Sequence, residues 1–160
     1  MKRMTFGLAF LAAIGTGLMA GLFFVFSVTI MSALGKLPAA AGIAAMQSIN
    51  STILSPLFLA AFMGTALVCV VIAILAMLNW SAAASGWLVT GALLYVAGTF
   101  LVTIIFNVPM NDALAAATPE SGEAAGLWSR YLSVWTGWNH VRTVASTASL
   151  VMFIQALRQL

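Results

Sequence analysis

Residues 6–31 read FGLAFLAAIGTGLMAGLFFVFSVTIM and contain no Asp, Glu, Lys or Arg. In a helix, about 20 such residues span the roughly 30 Å hydrocarbon core of a bilayer. Lys2 and Arg3 precede the run, as they would in a secretory signal, but a signal's apolar stretch is only about 7–15 residues. The run therefore predicts a retained membrane helix at about 5–34. Further apolar stretches at about 54–78, 86–106 and 138–157 meet the same length requirement. The expected fold is an all-α integral membrane four-helix bundle, a single domain over 1–160.

The whole composition agrees with that expectation. The chain is 63% hydrophobic and 6% charged, against roughly a quarter charged in a soluble domain. Six basic and three acidic side chains cannot cover the outward faces of a soluble bundle, so lipid must supply that environment. The net charge of +3 is carried by scattered residues, which excludes a nucleic-acid surface. Cys69 is alone, so it forms neither an intrachain disulfide nor a CxxC site.

Charge also suggests topology. Lys2, Arg3 and Arg158 flank the first and last spans, which places both termini on the cytoplasmic side of a multi-pass cell-membrane protein. Lys36 and Arg130 oppose this, and the inner connection at 79–85 is uncharged. Two longer outer loops follow, at 35–52 and 107–137, the longest polar stretch being 107–130. Within the first, Ile43, Met46 and Asn50 recur at helical spacing, so residues 39–50 predict a short interfacial helix and a helical extension precedes the fourth span. Gly17 with Gly21, and Gly91 with Gly98, suit close helix contacts, although glycine is simply common in membrane helices.

Polar chemistry gathers at the outer end. Pro109 should stop or kink the third span, leaving Asn107 and Asn111 at the boundary with free amides or as helix caps. Trp128, Tyr131, Trp135, Asn139 and Arg142 fall on one stripe at 100° per residue, with Trp138 at its edge and Ser146 and Ser149 continuing it. An interfacial aromatic belt accounts for Trp128 and Trp138 but not for Arg142. An intramembrane guanidinium costs about 3 kcal/mol or more unless it finds partners or snorkels to head groups. Asp112, next to Asn111, is the carboxylate expected within closest reach, ahead of Glu120 and Glu123, and Asn107, Asn111 and Asn139 offer amide oxygens. Asn50 is expected to join this pocket, with Phe23, Phe24, Phe26 and Ser27 as a wall or as ordinary core. His140 points away from the stripe and is expected to pack against another helix. A single His cannot supply the usual metal ligand set, and haem ligation would need a second protomer.

Gly21-Leu22-Phe23-Phe24-Val25-Phe26-Ser27, Met46-Gln47-Ser48-Ile49-Asn50, Asn107-Val108-Pro109-Met110-Asn111 and Trp135-Thr136-Gly137-Trp138-Asn139-His140-Val141-Arg142-Thr143 resemble the anthrone oxygenase-like family of small membrane proteins. Many of its bacterial members have no known function, and characterised relatives convert anthrones to anthraquinones with molecular oxygen and no metal or flavin. The resemblance implies that Asn107, Asn111, Trp135, Asn139 and Arg142 belong to the site. The chain departs from the family pattern at Ser32, where a proline is expected near Met31.

Together these readings lead to a membrane-embedded, cofactor-independent oxygenase or oxidase of a small aromatic or quinone-like molecule. Arg142, Asn139 and Asp112 would be catalytic, and Asn107, Asn111, Trp135, Tyr131, Asn50 and Trp138 would bind substrate. Asp112 is the leading base, and no metal site is expected. The alternatives are a binding or transport module for a lipophilic or anionic ligand, and a haem- or metal-dependent redox protein. The expected partners are the bilayer and the ligand, with room for a homodimer.

Overall fold

A computed structural model describes residues 2–80 and 83–160, apart from the Lys2 side chain. Ser81 and Ala82, in the uncharged connection at 79–85, lie outside the described residues, as does the Lys2 side chain used in the topology argument. The described residues form five helices and no strand: α1 at 2–34, α2 Ala39–Thr52, α3 Pro56–Leu78, α4 Ser85–Ala115 and α5 at 124–157. This is an all-α membrane helical bundle with a short extra helix, α2, as the Ile43/Met46/Asn50 spacing predicts. By length and composition, α1, α3 and α4 can cross a membrane. The fourth expected span, α5, is not among them, because it carries the polar stripe into the bundle.

Local signals set the helix limits. The Ser55 side chain accepts from the Phe58 amide at 3.4 Å and Pro56 stands at the first turn, so α3 starts where a helix tolerates a missing N–H. At its other end Asn79 Nδ2 donates to the Leu75 carbonyl at 3.0 Å. Pro38, in extended geometry, separates α1 from α2.

Small residues and hydroxyls hold the seams, as expected where lipid removes any hydrophobic preference of helix for helix. Along α4 and α5, Thr99 and Ser146 hydroxyls meet at 2.8 Å and Ser149 Oγ donates to the Gly91 carbonyl at 2.7 Å. A Cβ on Gly98 would lie 2.5 Å from that of Ala145. Gly15, which the sequence did not single out, faces Thr65 between α1 and α3. Gly17 meets Leu150 at ordinary distance and Gly21 faces open space, so those two glycines do not form a packing unit.

Two expectations about α4 need correction. Pro109 neither ends nor breaks the helix, which runs on to Ala115, so Asn107 and Asn111 are interior helical residues rather than caps. The reason is a π-helical segment, Thr103–Asn107, in which the Val108 amide reaches back to the Thr103 carbonyl. That wider turn shifts the hydrogen-bond register just before the proline and accommodates its missing donor. Similarly, 107–130 is mostly helix rather than loop, with only 116–123 linking α4 to α5. Further π segments occur at Phe26–Ile30, Val96–Leu101 and Tyr131–Trp135.

Gly98→Ala should lower stability by about 1–3 kcal/mol through overpacking against Ala145, whereas Gly21→Ala should change it by less than about 0.5 kcal/mol. Thermal unfolding in detergent, followed by circular dichroism, checks the contrast.

Candidate functional site

α1, α2, α4 and α5 enclose a cavity of about 350 Å³ that the first turn of α3 partly closes. Its floor is formed by Phe23, Phe26, Met46, Trp135 and Arg142, all buried. Thr103, Asn111, Asn50, Gln47 and Asp112 add polar groups to otherwise apolar walls.

Arg142 is only 4% exposed, so it does not snorkel. Its Nη2 donates to Asn139 Oδ1 at 2.7 Å and its Nη1 to Thr103 Oγ1 at 3.3 Å. The guanidinium carbon lies 4.3 Å from the Phe23 ring centre and 5.0 Å from that of Trp135. Among the described residues its buried Nε has no partner. The partners are thus amide, hydroxyl and rings rather than the expected carboxylate: Asp112, Glu120 and Glu123 are all exposed, and Asp112 lies at the cavity mouth. Adjacency to Asn111 misleads here because Asp112 sits on an exposed turn of a continuous helix.

Asn139 is held so that its oxygen must face Arg142. Its Nδ2 donates to the Phe23 carbonyl at 2.8 Å and to Ser27 Oγ at 2.7 Å. Thr143 donates to the Asn139 carbonyl at 2.9 Å and stands 3.0 Å from Ser27, which closes the ring of hydroxyls. Asn139 therefore supports the cavity from behind without lining it.

Above the cation, Trp128, Tyr131 and Trp135 stack in a column with centres 5.7 and 5.4 Å apart and planes within 16°. Gly42 on α2 permits this, since a Cβ there would come within 2.8 Å of the Trp128 ring. Asn111 Oδ1 accepts from both the Tyr131 hydroxyl and Trp135 Nε1, each at 2.7 Å. With its oxygen so occupied, Asn111 leaves its amide N–H groups for the cavity. Asn50 Nδ2 donates to the Tyr131 oxygen at 3.3 Å. Burial raises the Tyr131 pKa, while the Asn50 hydrogen bond and the Arg142 charge oppose the rise. Tyr131 thus stays a phenol that positions Asn111.

Other expected residues stand apart from the cavity wall. Asn107 is fully buried and donates from Nδ2 to the Trp135 carbonyl at 3.2 Å, at the end of a π segment. Trp138 stacks on Phe106 at 3.7 Å, off the cavity. Phe24 faces outward, unlike Phe23 and Phe26. His140 is exposed and does not pack against a neighbouring helix, because the buried arc of α5 runs through Asn139, Arg142 and Ser146. Among the described residues no three His, Cys, Asp or Glu side chains converge as metal ligands.

Sequence reasoning missed Thr103 and Gln47. Thr103 precedes Asn107 by four residues and Asn111 by eight, a helical spacing that was available. Gln47 Nε2 donates to the Leu114 and Ala117 carbonyls at 2.8 and 3.0 Å, tying α2 to the end of α4.

Asn111→Leu strips the acceptor from two donors at once and should cost about 2–4 kcal/mol, while Tyr131→Phe should cost about 1 kcal/mol. Denaturant titration of both variants in one detergent checks the ordering.

A profile of the anthrone oxygenase family matches residues 57–152, a stretch that holds Thr103, Asn111, Trp135 and Arg142. No curated protein and no solved structure matches the chain. The matched stretch is more than half of the 160 residues, and the chain belongs to the anthrone oxygenase family.

Proposed function

We propose that the cavity oxidises a small anthrone- or phenol-like ring compound with molecular oxygen, using no cofactor. The observation that carries this reading is the buried Arg142 cation, which faces an apolar cavity without a carboxylate partner. Such a charge favours whichever ligand form is anionic, and a positioned charge in a dry site is worth far more than one in water.

An activated ring CH2 loses one proton to a base, for which Asp112 at the mouth is the candidate, and becomes an enolate held by Arg142. The enolate transfers one electron to oxygen, and the resulting carbon radical and superoxide join through a new C–O bond as a peroxide. The base returns the first proton to the terminal peroxide oxygen and then takes the second C–H proton, which breaks the O–O bond, makes the carbonyl and releases hydroxide, and the hydroxide takes up that second proton as water. The balance is CH2 plus O2 to C=O plus H2O. In this scheme Trp135 and Phe26 hold the ring faces and Asn111 donates to a ring oxygen. Asn50 and Tyr131 act by fixing Asn111, and Asn139 by fixing Arg142; Asn107 and Trp138 support α5 from outside the cavity.

A second reading, a binding or transport module, draws on the exposure of Asp112 and on Arg142 bonding to Asn139 and Thr103 instead of to it.

Oxygen uptake by purified protein given anthrone should exceed buffer, with one atom of labelled oxygen in the product carbonyl. Arg142→Met should lower kcat/KM by about 10²–10³, and Arg142→Lys should restore little, lacking the planar fork that meets Asn139 and Thr103. No rate above buffer, or an undiminished rate in a folded Arg142→Met variant, contradicts the enzyme; saturable binding without product favours the second reading.

A further inference from the structure

The lining of the cavity is uneven in exposure. Every floor residue is buried, whereas the exposed lining residues are Ser51 and Leu54 at the turn between α2 and α3, and Val108, Asp112 and Ala115 on α4. Those three lie at spacings of four and three, so one stripe of α4 forms one jamb of the opening. The stripe continues downward through Ile104, which is 47% exposed, and on the facing side Leu54 and Leu57 are 60% and 83% exposed. Below the opening, therefore, the surface is bare hydrocarbon on two helices apolar enough to cross a membrane. Above it, α4 ends and the polar link at 116–123 begins.

The charges are also sorted along the cavity. Asp112 is the one carboxylate among the lining residues and stands at the opening, while Arg142 is the one cation and forms the floor. A ligand arriving already ionised must pass the like charge of Asp112 before it meets Arg142. A neutral, weakly acidic lipophile passes without that repulsion and can lose its proton where the cation stands. Gln47 holds the remaining edge, joining α2 to the last turn of α4.

We propose that the cavity is loaded sideways from the bilayer, across the sill formed by Leu54, Leu57, Ile104 and Val108, and that it accepts its ring ligand as the neutral acid rather than as an anion from water. This rests on the ring-ligand reading above but not on turnover. Val108 and Ala115 mark the two ends of the opening, about 10 Å apart along the helix at 1.5 Å per residue. A bulky side chain at each end therefore obstructs a different route.

The experiment uses the full chain in phosphatidylcholine vesicles and follows tryptophan emission by stopped flow, because Trp135 lines the cavity. The probes are anthrone and a sulfonated anthrone that stays charged. Lateral loading predicts that Val108→Phe slows anthrone association by about tenfold or more, that Ala115→Phe leaves it within about twofold, and that the sulfonate associates at least about tenfold more slowly. Asp112→Asn should recover part of the sulfonate's deficit. Equal or no slowing by the two variants, greater slowing by Ala115→Phe, or a sulfonate that associates as fast as anthrone overturns the proposal while leaving the ring-ligand reading in place. Absence of any quenching by either probe defeats both.

Discussion

A guanidinium without a counter-carboxylate, buried among apolar helices, is the constraint around which this chain is arranged. Removing such an ion from water costs several kcal/mol after relaxation, at least about 3 kcal/mol on insertion scales. Arg142 recovers part of that through two hydrogen bonds and two ring faces. Each of those partners is itself held. Asn139 is fixed by the Phe23 carbonyl and Ser27, Thr103 donates onward to the Thr99 carbonyl at 2.8 Å, and Trp135 is fixed by Asn111. The remaining Nε donor has no partner among the described residues.

The π segments explain how so many side-chain donors find work inside a membrane bundle. Where a helix passes into an i→i+5 turn its hydrogen-bond ladder changes register, and backbone carbonyls become available to side chains. Asn139 meets the Phe23 carbonyl just ahead of one such segment, and Asn107 meets the Trp135 carbonyl at the end of another. Three of these segments contribute Phe26, Thr103 and Trp135 to the cavity wall. The irregular backbone and the polar residues thus answer each other's requirements.

Much of this was legible before any coordinates. The bundle followed from apolar length, and α2 from the spacing of Ile43, Met46 and Asn50. The stripe Trp128, Tyr131, Trp135, Asn139, Arg142 is buried along its whole length, because steps of three and four keep one face even across a π turn. What escaped was partnership. Proline rules alone implied a break at Pro109, since nothing in the residue types announces a π turn ahead of it. The carboxylate beside Asn111 is the natural mate for Arg142 by sequence, yet Asp112 stands exposed at the cavity mouth while Arg142 forms the floor. Trp138 and Trp135 look alike in the sequence, and only the fold shows that one stacks on Phe106 while the other faces the cavity. Gly15 rather than Gly21 makes the close approach, because the facing helix decides which glycine is needed.

The central claim is that the cavity prefers an anion because Arg142 forms its floor. Spectroscopic titration of 2-naphthol bound to the protein in detergent measures that preference directly. The account predicts that binding lowers the naphthol pKa by at least about 1, worth about 1.4 kcal/mol, relative to empty micelles, and that Arg142→Met abolishes the lowering. A bound naphthol whose pKa is unchanged or raised, as plain burial in an apolar pocket would cause, contradicts it.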